Sequence, residues 1–222
     1  MKFLFHRPCA ISTITNRFNY LKFLNMIKSI FTVLFLTASL VLTAQNSLGI
    51  AAGSKLTYEV NASTDKKHIV YDLIFTVKTM NSEGITFDWA ANNGKKGTVT
   101  MSRSALDNAP TLVSDLKNGT KAQWSNQTAL FFPKKAFNEL INAGETNVKT
   151  NSDATATSFK KVMLRDYSYF HNGVKKNAAV VLGAKEGTGK PKIVLVLNDY
   201  NFPLVMAIDW NIRMTLKSIQ TL

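Results

Sequence analysis

Alternation of apolar and polar residues dominates the chain from Lys55 onward. Ile69, Tyr71, Leu73, Phe75 and Val77 alternate with His68, Val70, Asp72, Ile74, Thr76 and Lys78. One face is apolar and the other mixed, as in a long strand covering a core. Asn81-Ser-Glu-Gly84 turns the chain into Ile85, Phe87 and Trp89, and Asn92-Asn93-Gly94 reverses it into Val99, Met101 and Arg103. Connections this short predict an antiparallel meander.

The middle changes period. Pro133 precedes Lys134–Ala143 and Gly144 follows, with Phe137, Leu140 and Ile141 at i, i+3 and i+4. Proline near the start, glycine past the end and one apolar stripe predict a short helix around 133–143. The polar stretch Asn147–Thr157 reads as a loop or a weak edge strand.

A second strand series follows. Thr157–Met163 leads into Tyr167–His171, Asn172-Gly173 is a strong hairpin signal, and Val174 and Ala178–Leu182 return. After the turn at Gly187-Thr-Gly189, Ile193–Leu197 is continuously apolar, which predicts a central strand covered on both faces. Pro203 marks an irregular entry to Leu204–Trp210, and Ile212–Ile219 forms the last strand. About ten strands and one helix predict a mainly β fold: a curved antiparallel sheet, a partly open barrel or two packed sheets.

The N-terminus carries an address. Met26-Ile-Lys-Ser precedes the apolar run Ile30–Leu42 and the small-residue exit Thr43-Ala44-Gln45. A short basic start, an apolar stretch and a small-residue exit make a secretory signal, with cleavage expected after Ala44 or Gln45. The run falls short of the ~20 residues that span a bilayer, so no integral span is expected after cleavage. Residues 1–25 are basic, rich in Phe and free of acid, and fit as an over-extended start ahead of a signal that is complete from Met26. The expected organisation is therefore 1–25 as extension, 26–45 as signal peptide and 46–222 as one β-rich domain, periplasmic or secreted.

Charge and cysteine sharpen this picture. The chain carries a formal +13, of which the five basic and no acidic residues of 1–44 supply +5, leaving +8 for residues 45–222. Much of that arrives as doublets, such as Lys66-Lys67, Lys95-Lys96 and Lys175-Lys176, beside turn residues. Scattered doublets with Arg103, Arg165 and Arg213 as the remaining arginines point to solvated turns and protected edges, and away from nucleic acid. The single cysteine, Cys9, precedes the signal, so the expected mature domain has no disulfide, thiolate nucleophile or cysteine metal site.

Catalytic signatures fail their context tests. Ala184–Pro191 imitates a phosphate loop, but Ala replaces the first glycine, Pro replaces the magnesium-binding hydroxyl and a strand follows. Ser114-Asp-Leu-Lys117 has the spacing of some acyl-transfer enzymes without their companion motifs. His68 and His171 are too few for a histidine metal site, so no cofactor or metal is expected. Asp72, Asp88, Asp199 and Asp209 could supply a glycosidase pair, and two of them precede tryptophan, as Asp88-Trp89 and Asp209-Trp210. Strand alternation accounts for that pattern equally, with Trp inward and Asp outward.

What remains is an aromatic surplus. Trp89, Trp124, Phe131, Phe132 and Trp210 are the candidate ligand-binding residues, able in a curved sheet to line a cavity for a lipid or another apolar ligand. The strings Gly53-Ser-Lys-Leu-Thr-Tyr58, Ile85-Thr-Phe-Asp-Trp89 and Phe202-Pro203-Leu204 resemble a family of exported β-rich proteins of Gram-negative bacteria. That resemblance implies an envelope location and a β-sheet fold, and it transfers no catalytic residue. The expected function is a non-enzymatic exported protein that binds a hydrophobic ligand or an envelope partner. The alternatives are an interaction module without a ligand cavity and a carbohydrate-active enzyme.

Overall fold

Every strand from the first to the last joins one sheet in a computed structural model that describes residues 47–62, 67–150, 153–185, 192–210 and 212–222. The expected signal peptide, the segment before it, Cys9 and the Gly187-Thr-Gly189 turn lie outside the described residues. Asn46–Leu222 form one compact unit. Its strands are β1 (Lys55–Asn61), β2 (Val70–Asn81), β3 (Gly84–Ala91), β4 (Lys96–Ser102), β5 (Thr111–Leu112), β6 (Lys121–Trp124) and β7 (Gln127–Thr128). After them come β8 (Glu145–Thr150), β9 (Thr157–His171), β10 (Val174–Lys185), β11 (Lys192–Leu197), β12 (Val205–Asp209) and β13 (Arg213–Gln220). Two helices interrupt the series, α1 (Arg103–Asn108) and α2 (Lys134–Asn142).

The spatial order is β6-β4-β3-β2-β1-β13-β12-β11-β10-β9-β8-β5-β7, with a further contact between β13 and β9. From β4 across to β9 and β8 the neighbours are antiparallel, as the short connections require for all but the long-range β1–β13 pair. Parallel pairing enters where β6 joins β4, where β5 joins β7 and β8, and where β9 touches β13. The sheet is therefore mixed, and the β13–β9 contact bends its second half into a partial ring. The expected curved sheet with a short helix is what the chain forms.

Local chemistry explains the turns. Asn172 and Gly173 both adopt positive φ, 48° and 79°, the backbone that a two-residue hairpin needs to follow strand twist. Asn81 receives the backbone N–H groups of Glu83 and Gly84 on its side-chain oxygen, which fixes the β2–β3 turn. The helix expected around 133–143 spans Lys134–Asn142 and buries Ala136, Phe137 and Leu140. A second helix was not expected: Arg103, read as the end of a strand, starts α1, because the Ser102 hydroxyl oxygen accepts the Ala105 N–H and caps it. Asn147–Thr150, the start of the segment read as loop or weak edge, belongs to β8, which pairs on both sides.

The core runs along one face of the sheet from β3 to β10, and at β11 and β12 the opposite face is buried as well. Cross-strand partners share a face, and the registers link residues into apolar rows that run from strand to strand. One row passes Trp89, Phe75, Leu56 and Ile219, another Ala91, Leu73, Tyr58 and Leu216. A third passes Tyr71, Val60, Met214, Ile208, Val194 and Gly183. All but Tyr71 and Gly183 in these rows belong to the buried apolar core. Gly183 lets α2 approach: a Cβ there would stand 3.3 Å from Leu140 Cδ2 and 3.1 Å from Val194 Cγ1. Asp153 ties the far end, its carboxylate accepting from the Thr150 and Thr157 hydroxyls and the Lys192 ammonium.

Gly97 carries the opposite end of the first row. A Cβ at this position would stand 2.5 Å from the Thr120 carbonyl oxygen and 2.7 Å from the Trp89 indole nitrogen. Backbone on one side and a buried ring on the other leave nothing to yield cheaply. Gly97→Ala is expected to cost about 1–3 kcal/mol, a thermal midpoint lower by about 2–12 °C for a unit of this size. Gly94→Ala, in open space at φ 87°, should cost only the backbone strain of about 1 kcal/mol. Thermal denaturation of both variants checks the ordering.

Candidate functional site

The aromatic residues singled out in the sequence are distributed through the structure. Trp89 lies on β3 opposite Gly97, whereas Trp124 ends β6 opposite Met101, at the other end of β4. Trp89 is buried and Trp124 half-buried. Phe131 and Phe132 sit before α2, where Phe131 meets Phe202 edge-on at 4.9 Å between centroids and the Phe132 N–H donates to the Pro203 carbonyl. Trp210 follows β12 and lies 6.0 Å from Phe159. Phe131 and Phe132 thus share a neighbourhood with the loop before β12, and the three tryptophans occupy separate places. Trp89 and Trp210 bury indole N–H groups that have no acceptor among the described residues, which costs about 1–3 kcal/mol each.

The acidic candidates have structural partners of their own. Asp88 accepts from the Thr98 hydroxyl at 2.7 Å and lies 3.6 Å from Lys78 Nζ. Asp209 receives both Nε and Nη2 of Arg213 on one oxygen, at 3.0 and 2.6 Å. Asp199 caps the loop before β12 through the N–H groups of Asn201 and Phe202 and also holds Ser47. Asp72 stands opposite Glu59, which Lys217 Nζ reaches at 2.9 Å. Trp89 and Trp210 point inward next to the half-buried Asp88 and Asp209, as strand alternation requires. Among the described residues, no three His, Cys, Asp or Glu side chains stand close enough to hold a metal ion, and no helix is long and apolar enough to cross a membrane.

A different surface stands out chemically. Large apolar side chains are mostly buried, and apart from Val70, Ile74, Tyr200 and Leu222 the exposed ones gather on the β9–β10 hairpin: Val162 (52%), Met163 (50%), Leu164 (57%), Phe170 (51%) and Val174 (57%). The register explains how. Leu182 pairs with Met163 and Gly183 with Lys161, so Val162 is the extra residue of a β-bulge. Past the bulge, Leu164 shares a face with buried Val181, and through it with Val196. The apolar row therefore continues onto β9 beyond the part of the core that is covered.

The same hairpin concentrates charge. Between Thr157 and Lys185 stand Lys160, Lys161, Arg165, Lys175, Lys176 and Lys185 against Asp166. That is a local net of +5 within the +8 of residues 45–222. Sequence reasoning missed this site because an apolar residue in a strand pattern reads as core. The available signal was Val162-Met163-Leu164, three consecutive apolar residues where alternation should have put a polar one.

The hairpin is hydrogen-bonded to the rest of the sheet at its tip and across its middle. Asn172 donates its backbone N–H to the Ile219 carbonyl, and its side chain exchanges hydrogen bonds with Thr221. The Tyr167 hydroxyl reaches across to the Leu216 carbonyl at 2.7 Å, and the Tyr58 hydroxyl donates to the Val205 carbonyl at 2.8 Å. Burial pushes the Tyr167 phenol up to about 12. Burial, and secondly the neighbouring Tyr167, push Tyr58 well above the ordinary tyrosine range. No protein-family model, curated protein or solved structure matches the chain.

These phenols set an alkaline limit. Unfolded tyrosine releases its proton near pH 10, whereas folded Tyr167 keeps its proton to about 12. The stabilisation is complete below pH 10 and is lost as pH rises from there through about 12, because the unfolded chain then binds fewer protons. Denaturant unfolding at pH 9, 10 and 11 should show this fall. Tyr167→Phe should make it shallower while lowering stability at pH 9 through loss of the bond to Leu216.

Proposed function

We propose that the protein is exported and acts as a non-enzymatic binding protein, engaging an envelope partner through the β9–β10 hairpin. The observation that supports this is where the bulky apolar side chains leave the core: Leu164 and Phe170 are more than half exposed on a hairpin that is tied down at its tip. Exposed bulky apolar side chains set among charges mark interaction sites in many proteins. An open sheet surface suits a macromolecular partner better than a small apolar ligand, which needs most of its own surface enclosed. Export rests on the leader Met26–Gln45, and the absence of catalysis on the motifs that fail in context.

Two measurements test this reading. Fractionation with N-terminal sequencing should place the protein outside the cytoplasm, beginning at Gln45 or Asn46. A photo-crosslinking residue at position 164 or 170, introduced in living cells, should give discrete adducts that the same residue at exposed Glu83 does not. Retention of an intact leader in the cytoplasm, or equal labelling from position 83, would overturn it. Because the hairpin side chains lie outside the core, Leu164→Asp and Phe170→Asp should change stability by no more than about 0.5 kcal/mol while removing the adducts.

A further inference from the structure

The ring that β9 helps to form is paired at both ends of β9 and open between them. Thr157–Lys160 pair with β8, and Phe170–His171 touch β13. Between these contacts the outward edge of β9, from Val162 to Ser168, has no strand partner among the described residues. Its inward edge is fully engaged with β10 from Met163 to Ser168. Alternate N–H and C=O groups of a strand with one partner point away from it, and this stretch is long enough for an added strand of about five residues.

Three occupants could use such an edge, and the local chemistry separates them. A bilayer would welcome Leu164 and the basic side chains, but unpaired backbone groups carried into hydrocarbon are costly. A second copy of the chain would bring two hairpins of net +5 together, which like-charge repulsion opposes. An extended segment carrying acidic and apolar side chains meets the open backbone, the apolar triplet and the net positive charge together, with Asp166 the one acid of the stretch that it must pass. Its backbone pairs the open edge, its apolar positions cover Met163 on one face and Leu164 on the other, and its acids face Arg165 and the flanking lysines.

We infer that the open edge of β9 receives an extended acidic and apolar segment of a partner protein as an additional strand. This rests on the hairpin being the working surface and goes further by naming the partner's chemistry and its mode of attachment. The bulge at Val162 fits the role, since it ends the β8-paired stretch and re-aims the strand where the added segment would begin. Main-chain pairing would supply affinity and the alternating side chains selectivity, as in other strand-addition complexes.

The test uses the full-length protein and a fluorescent seven-residue peptide alternating valine and glutamate, read by anisotropy. The acidic peptide should bind, and its lysine counterpart should bind at least about tenfold more weakly. A version N-methylated along one edge should lose at least about tenfold, because only backbone pairing distinguishes it. Arg165→Glu should weaken the acidic peptide at least about fivefold, whereas Lys95→Glu, the same charge change at the β3–β4 turn, should not. Equal binding of the N-methylated peptide overturns strand addition. So does exclusive binding to phosphatidylglycerol vesicles, or a dimer that masks the edge. If vesicle binding or self-association is abolished by Leu164→Glu, the hairpin remains the working surface and only strand addition falls. If Leu164→Glu alters no binding to peptide, vesicle or second copy, the hairpin itself is excluded.

Discussion

The pairing made by the last strand, β13, is the constraint on which the rest of the structure depends. It lies between β1 and β12 and touches β9, so it joins the meander β1–β4 to the series β8–β12. The pairing matches Lys55 with Gln220 and Asn61 with Arg213, partners from opposite ends of the described chain. Loop closure of that length is entropically costly before any contact rewards it. That cost predicts that the two half-sheets form before β13 unites them. Until it does, the edges of β1 and β12 stand open, a period of exposure to mispairing. Tyr58 and Tyr167 reinforce the join from both sides, through hydroxyl bonds to Val205 and to the β13 residue Leu216.

Once β13 is in place, the continuous apolar rows follow from registry. Each strand contributes every second residue to one face, and the register aligns those residues across at least six neighbouring strands in the row from Tyr71 to Gly183. Glycine ends this row at Gly183 and the row through Trp89 at Gly97, for the same reason. Gly97 admits the Trp89 ring against a backbone carbonyl, and Gly183 admits Leu140 of α2. The row containing Val181 and Val196 then reaches β9 at Leu164, where the cover ends. Exposure of Leu164 is thus the continuation of the core face past its lid, shifted into line by the bulge at Val162.

Much of this was legible because local chemistry and tertiary structure agree. Asn172-Gly173 specifies a hairpin by its own backbone preference, and the apolar run Ile193–Leu197 occupies a strand buried on both faces between β10 and β12. Pro133 and Gly144 bracket a helix that ends within two residues of both. Short elements escaped because their stability is borrowed. β5 and β7 have two residues each and exist through parallel pairing with distant segments, which no local pattern records. α1 escaped for lack of an apolar period in six residues. For the candidate site, bulkiness was readable but position was not. Trp89, Trp124 and Trp210 are all in strand context, and only the three-dimensional register sets them apart.

The unequal treatment of the sheet's edges is the strongest physical reason to assign the hairpin a partner. At one end the sheet stops with β6, four residues carrying Lys121 and Gln123, and at the other with β7, two residues including Gln127. Both are short and polar, which is how a fold blunts edges that would otherwise recruit other chains. The open stretch of β9 is treated in the opposite way. It is longer than either terminal strand and begins with three consecutive exposed apolar residues. It is also clamped at both ends by β8 and by the C-terminal strand. A lysine at Leu164 would blunt it at little cost to the fold, since that side chain lies outside the core. The sequence instead sets cations on either side of the apolar triplet Val162–Leu164, in Lys160, Lys161 and Arg165, where they leave it available and select the sign of what approaches it.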